Sequence, residues 1–392
     1  MVRRHLVSGR ARGRQSLTGM LTGLISGLAL AAAAAAPALA QVPGGNASVI
    51  GGSRLAGRGL IVSYPVHGAA ALPAVPASAY VIADAGSGQV LAAKDPHGWF
   101  DPASTLKVLT AITLMPVLKP GATVIASHQA AIVEPTKVGL IAGQRYMVAD
   151  LFKALLLVSA NDAAISLVQA TGSFGQGVAM MNAEARRLRA DDTVAVQPNG
   201  LDAPGQHVSA YDEALFARQA LKLPLFMRDD ELLTARFPLR RHHVISLYNQ
   251  DAMLTDYPGD LGGKIGWTTP AGATYIGFAR RHGVTLIVTI LHCTPLTEMT
   301  YAARLLNWGF AMDGKVTPVG TLVSPRPARG PPGIRSRPAR RPDSQLAAHP
   351  RPAGRVVPVA AGAGAVLLAA LVVGSAAVVS RRRSGAGSRP GP

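Results

Sequence analysis

Ser104-Thr105-Leu106-Lys107, Ser159-Ala160-Asn161 and Lys264-Ile265-Gly266 follow one another in that order along a chain of 392 residues. Read as S-x-x-K, S-x-N and K-x-G, they are the components of a serine acyl-transfer site that uses lysine as its base. Any one of them alone is a common accident; their order, wide separation and local context together are not. Asp101-Pro102 predicts a helix start, an N-cap acceptor followed by a proline whose missing N–H the first turn does not need. The apolar run Leu106, Val108, Leu109, Ile112 and Leu114 continues that helix, which puts Ser104 in its first turn and Lys107 on the same face at i+3. A serine hydroxyl attacks only when a neighbouring base takes its proton. Lysine can be that base only if its pKa is lowered, and burial beside a second cation, Lys264, lowers it.

The second string interrupts an apolar helical run, Leu151 to Val158, and a new helical pattern starts from Asp162 as N-cap. Ser159 and Asn161 therefore lie on a turn between helices. From there the serine can relay a proton and the asparagine amide can hold a substrate carbonyl; the competing reading is helix capping. The third string opens Gly262-Gly-Lys-Ile-Gly-Trp-Thr-Thr and precedes two β-rich runs, Thr274 to Arg280 and Val284 to Leu291, joined by a turn at His282-Gly283. Lys264 falls on an edge strand, where a point charge suits a substrate carboxylate, and the glycines let a substrate backbone approach.

With these residues in hand, the chain resembles the D-alanyl-D-alanine carboxypeptidases, the low-molecular-mass penicillin-binding serine peptidases. The resemblance runs from about Ala79 to Phe310. It rests on Tyr80-Val-Ile-Ala-Asp-Ala-Gly-Ser-Gly-Gln-Val-Leu, Pro102-Ala-Ser-Thr-Leu-Lys-Val-Leu-Thr, Ser159-Ala-Asn-Asp-Ala-Ala, and Asn199-Gly-Leu-Asp with Ser209-Ala-Tyr-Asp. It implies that Ser104 forms the acyl-enzyme and Lys107 accepts its proton. Ser159 and Asn161 complete the cleft, and Lys264 binds the terminal carboxylate. The backbone N–H groups of Ser104 and Trp267 form the oxyanion hole, where preorganised donors supply several kcal/mol. Ile265 departs from the family pattern, which has Thr or Ser there to bond the carboxylate; Thr268 is the expected substitute.

The ends of the chain are of a different kind. Five arginines up to Arg14, an apolar run from Leu17 to Ala36 and Ala38-Leu39-Ala40 read as a secretory signal peptide over 1–40. Residues 41–76 read as a linker, 77–313 as the catalytic domain, and 314–355, rich in Pro and Arg, as a second linker. Residues 356–379 carry no charge, and at 1.5 Å per residue they make a helix of about 36 Å, long enough to cross a bilayer. Arg381-Arg382-Arg383 then places the tail, 380–392, on the cytoplasmic side. The expectation is a cell-membrane protein with a C-terminal anchor and an extracytoplasmic catalytic domain.

The net charge of +18 could suggest nucleic acid, but residues 76–313 hold 19 Lys+Arg against 20 Asp+Glu. The excess sits in the two ends, so no folded basic face is available for nucleic acid, whereas a basic linker suits an anionic bilayer or wall polymer. The lone Cys293 excludes an intramolecular disulfide and reads as a buried thiol. The ten histidines follow no metal-ligand spacing, so neither metal nor cofactor is expected. The fold implied by the resemblance is α/β, the serine β-lactamase/penicillin-binding transpeptidase-like architecture. A mainly antiparallel five-stranded sheet is flanked by helices, with an all-helical region over about Val108 to Leu233 and a helix from Thr297 to Phe310. The partners it implies are peptidoglycan stem peptides, with β-lactams as inhibitors. Two other readings share parts of the pattern. A class A β-lactamase needs a loop Glu after the second motif, whereas Glu184 falls in an amphipathic helical stretch. A non-catalytic, membrane-tethered protein of the same fold would only bind wall precursors.

Overall fold

A computed structural model describes residues 49–65 and 68–327. The expected signal peptide and membrane span lie outside the described residues. Along the chain come β1 (Leu60–Val62), β2 (Ala77–Asp84), β3 (Gln89–Lys94), α1 (Leu106–Leu114), β4 (Thr123–Ile125), α2 (His128–Ile132) and β5 (Arg145–Met147). The helices α3 (Val148–Leu157), α4 (Asn161–Gln169), α5 (Phe174–Leu188), α6 (Ala210–Ala220) and α7 (Pro224–Asp230) follow. The chain then returns through β6 (Thr234–Arg240), β7 (His243–Tyr248), α8 (Met253–Asp256), β8 (Asp260–Thr268), β9 (Gly272–Arg281), β10 (Val284–Cys293), α9 (Glu298–Met312) and β11 (Gly320–Thr321).

The sheet order is β1-β3-β2-β10-β9-β8, with β11 also on β3, and every pairing is antiparallel. Its five long strands are those expected, assembled from both ends of the segment. The register shows why both faces are buried. In β2, Ala79, Val81 and Ala83 join the cluster under the helical region, while Tyr80 and Ile82 join the cluster under α9. Their neighbours on β10 keep the same phase, Ile287 beside Ala83 and Val288 beside Ile82. Successive side chains leave opposite faces, so one strand serves two cores. The β9–β10 turn is His282-Gly283, both with positive φ (50° and 84°), the conformation a two-residue hairpin needs.

Three expectations change. The sheet has seven strands, not five, because β1 and β11 come from stretches read as linker. Ile61, Val319 and Leu322 are buried there, so the folded unit reaches beyond 77–313 on both sides. The region between β3 and α7 is not wholly helical: β4 and β5 form a short ladder, each burying one residue, Val124 and Tyr146. The hairpin of β6 and β7, inward through Phe237 and Leu247, follows it unannounced. Three-residue strands with one buried position carry no readable alternation.

Candidate active site

The nucleophile region differs from the expected helix start. Asp101 makes no cap; Ala103–Thr105 form a 3-10 turn, and α1 begins only at Leu106. Ala103 holds φ at +46°, a left-handed conformation that costs a non-glycine residue about 1–2 kcal/mol. The Thr105 hydroxyl, held between the Pro102 carbonyl and the Glu213 carboxyl, ties this turn down from one side. The Thr274 hydroxyl donates to the same Pro102 carbonyl at 2.9 Å from the sheet.

All nine residues of α1 are buried, and the Lys107 side chain exposes no surface. Its Nζ donates to Ser104 Oγ and to the Asn199 carbonyl, both at 2.7 Å. Burial is the main reason its pKa lies well below that of an ordinary lysine; Lys264 adds repulsion, and Asp162 opposes both. Two neutral acceptors, and no carboxylate within ion-pair distance among the described residues, leave this amine able to take a proton. Gly200 packs directly on the Ala103 carbonyl, with its own φ at +80°, so the 199–200 backbone braces the nucleophile turn.

Ser159 sits between α3 and α4 with φ at +59°, and α4 starts at Asn161 rather than after an Asp162 cap. The Asp162 carboxylate is instead buried and accepts the N–H groups of Val138, Gly139 and Leu140. Asn161 donates its Nδ2 to the Glu134 carbonyl at 2.9 Å. Ser159 Oγ and Asn161 Oδ1 are buried and have no hydrogen-bond partner among the described residues. Desolvated polar atoms without partners are costly, and in a cleft they are ready for a ligand.

Strand β8 closes the cleft at the edge of the sheet. A Cβ on Gly266 would stand 2.6 Å from Ser104 N, so only glycine lets the strand lie on the nucleophile turn. That close approach sets the N–H of Ser104 beside the strand that continues into Trp267, a residue 59% exposed. Lys264 is buried on the same strand and donates to the Ile265 carbonyl at 2.8 Å. Burial lowers its pKa to about 8, against the pull of Asp230 and Asp251. Ile265, out of phase with Lys264, is half-buried against the apolar cluster under α9. The Thr268 hydroxyl donates to Asp202 at 2.7 Å, so it bridges β8 to the 199–202 loop.

The structure thus brings Ser104 and Lys107 into hydrogen-bond contact and sets Lys264 beside them. Sequence reasoning passed over the Asn199 carbonyl, Gly200, Asp202, Asp230 and Asp251. Asn199-Gly-Leu-Asp carries only a family resemblance, and nothing local tells which of its atoms meets a lysine 92 positions away. Glu184 pairs with Arg187 on α5 at 2.6 Å. Cys293 is buried, its thiol pushed up to about 11 by burial and by Glu298.

An acyl-transfer cleft between an antiparallel sheet and a helical region, with a Ser–Lys pair on the first buried helix, defines a penicillin-binding type of serine peptidase. A family model described as D-alanyl-D-alanine carboxypeptidase matches residues 67–294, and the chain belongs to that family, serine peptidase family S11. It is 37% identical over 261 residues to the D-alanyl-D-alanine carboxypeptidase DacB2 of Mycobacterium tuberculosis, covering 65% of this chain and 89% of the relative. It is 32% identical over 254 residues to DacD of Salmonella typhimurium, where the match spans 60% of this chain and 63% of the relative. Among solved structures it is similar to a D-alanyl-D-alanine carboxypeptidase from Mycobacterium tuberculosis H37Rv (TM-score 0.62, 36% identity, 66% of this chain and 99% of that one). The fold is shared with the Streptomyces K15 DD-transpeptidase (TM-score 0.58, 23% identity, 61% of this chain and 99% of that one).

Proposed function

We propose that this carboxypeptidase removes the terminal D-alanine of peptidoglycan stem peptides through an acyl-enzyme on Ser104. The observation that carries the reading is Lys107: a buried amine, with no ion-pair partner within 4.0 Å among the described residues, 2.7 Å from the serine oxygen. Ser104 Oγ attacks the carbonyl carbon of the penultimate D-alanine while its proton passes to Lys107. The peptide C–N bond breaks, and D-alanine leaves as the amine after taking a proton, with Ser159 as the relay. Water then cleaves the ester. Asn161 is suited to hold the substrate amide, Lys264 its terminal carboxylate, and Thr268 the rim beside it. The N–H groups of Ser104 and Trp267 are suited to the oxyanion; one such donor typically contributes about 2.7–4 kcal/mol.

Mass spectrometry of a pentapeptide ending in D-Ala-D-Ala tests this. The purified chain should release one alanine, and penicillin should raise its intact mass by one ligand. Release by Ser104→Ala, or the same mass rise in that variant, overturns the assignment. The basic, apolar ends of the sequence support a membrane-tethered enzyme with its cleft outside the cell. Protease shaving of intact cells should remove the catalytic domain; full protection contradicts that placement.

A further inference from the structure

The nucleophile turn is pinned through a single carbonyl. Pro102 O accepts the Thr274 hydroxyl at 2.9 Å and the Thr105 hydroxyl at 2.6 Å. The Thr105 bond spans Ala103, with its φ of +46°, and Ser104, so it closes the turn that aims the nucleophile. Thr105 Oγ1 also meets the Glu213 carboxyl of α6, and Thr105, Thr274 and Glu213 are all buried.

Protons decide how these oxygens are connected. A carbonyl oxygen only accepts, and a threonine hydroxyl has one proton to give. Thr105 gives its proton to Pro102, which leaves its lone pairs facing Glu213. An ionised Glu213 would set carboxylate lone pairs against them; a protonated Glu213 completes the bond as its donor. The surroundings agree. Among the described residues Thr105 is the only hydrogen-bond partner of the Glu213 carboxyl, and Glu213 Oε2 is buried without one. No cation stands within 4.0 Å of it among those residues. A buried carboxylate with one neutral contact and no counter-ion is far costlier than the neutral acid. Burial pushes the Glu213 carboxyl well above the usual carboxylate range, and Asp212 beside it adds repulsion.

The helix that carries Glu213 is itself fixed. Thr289 on β10 donates to the Ala210 carbonyl at 2.8 Å, and the Tyr211 hydroxyl donates to the Thr321 carbonyl at 2.7 Å. The Asp212 side chain accepts the Asp192 N–H at 2.9 Å and the Thr193 hydroxyl at 2.7 Å. Glu213 therefore reaches the turn from a helix tied to both β10 and β11. We propose that Glu213 is a positioning residue for acylation: as a neutral carboxylic acid it donates to Thr105, commits that hydroxyl's one proton to the Pro102 carbonyl, and so holds Ser104 in its reactive place. The inference rests on Ser104 as the nucleophile, as given above.

Glu213→Met has nearly the shape of the acid and no donor. It should slow acylation by penicillin about tenfold, the size of one lost buried hydrogen bond, through the acylation rate constant and not the initial affinity. Its melting temperature should not fall, because a desolvated polar group leaves with the side chain. Glu213→Gln, whose amide N–H can donate to Thr105, should stay within about threefold of wild type. In the Thr105→Val background, with no hydroxyl to steer, Glu213→Met should cost less than about twofold more. The infrared difference between wild type and Glu213→Gln at neutral pH should contain the carbonyl stretch of a protonated acid, at the high frequency of a C=O without a hydrogen-bond partner.

A carboxylate band in that difference, a Gln variant as slow as the Met variant, or an additive loss in the Thr105→Val background overturns the proposal. So does a Glu213→Met enzyme that acylates at the wild-type rate. Should Glu213→Met fail to fold, the infrared band and the rate of Glu213→Gln still decide. A wild type that penicillin does not acylate would refute the proposed function instead, while the infrared band would still show whether Glu213 carries the proton.

Discussion

Gly200→Ala places one methyl group where the Ala103 carbonyl now rests. The new Cβ falls well inside van der Waals contact of that oxygen and 3.2 Å from Ser104 N, and the residue must also keep φ at +80°. The left-handed backbone alone costs about 1–2 kcal/mol in a non-glycine residue. Relief of the clash requires the 199–200 segment and the Ala103–Ser104 turn to part by roughly 1 Å, a displacement of reacting atoms that can cost 10²-fold in rate. Neither side moves freely. Pro102 is held by Thr105 and Thr274, and Asn199 receives the Lys107 proton donor at 2.7 Å. The expected outcome is a fall of about 10²-fold in the second-order rate of penicillin acylation, or roughly 2.8 kcal/mol at about 1.4 kcal/mol per decade. Stopped-flow acylation of wild type and variant, with thermal melts alongside, reads both parts. Acylation within threefold of wild type would show that the loop does not set the nucleophile turn, and the bracing argument would be wrong.

Other outcomes follow from the same site. Lys107→Ala should cut acylation by about 10²–10⁴-fold, the usual range for a general base, with far-UV circular dichroism unchanged; near-wild-type acylation would move the base elsewhere. kcat/KM should rise with pH as Lys107, held low by burial and Lys264, gives up its proton, then fall as Lys264 loses its own near pH 8. A profile that keeps rising through pH 9 would contradict the role of Lys264. Ile265→Thr restores the family's hydroxyl; at about 1.5–3 kcal/mol for a bond to a charged group, kcat/KM should rise by one to two decades. The lost contact with the cluster under α9 should lower the melting temperature slightly. Iodoacetamide at pH 8 should leave Cys293 of the folded protein unmodified, because its thiol stays protonated up to about 11, and Cys293→Ala should keep the penicillin adduct.

Periodicity and short motifs are local, and the sequence by itself determined what is local. The β9–β10 hairpin, the buried helix after Pro102, the edge strand carrying Lys264 and the break at Ser159 all follow from spacing within about ten residues. So does the Ser104–Lys107 pair, since three positions along a helical turn bring the side chains together. Family resemblance added the roles of distant residues without their geometry. Tertiary structure alone decided which backbone atom receives the Lys107 ammonium, because the Asn199 carbonyl arrives from 92 positions away through packing of α5 and α6 on α1. It decided that Asp162 pins a loop rather than caps a helix, since a buried carboxylate goes to whichever N–H groups the fold brings to it. It also recruited β1 and β11, too short to announce themselves, because β3 presented an unpaired edge that they could cover. The carboxylates behind Lys264 belong to the same class. Their raised pKa values come first from burial, and burial is a property of the assembled molecule.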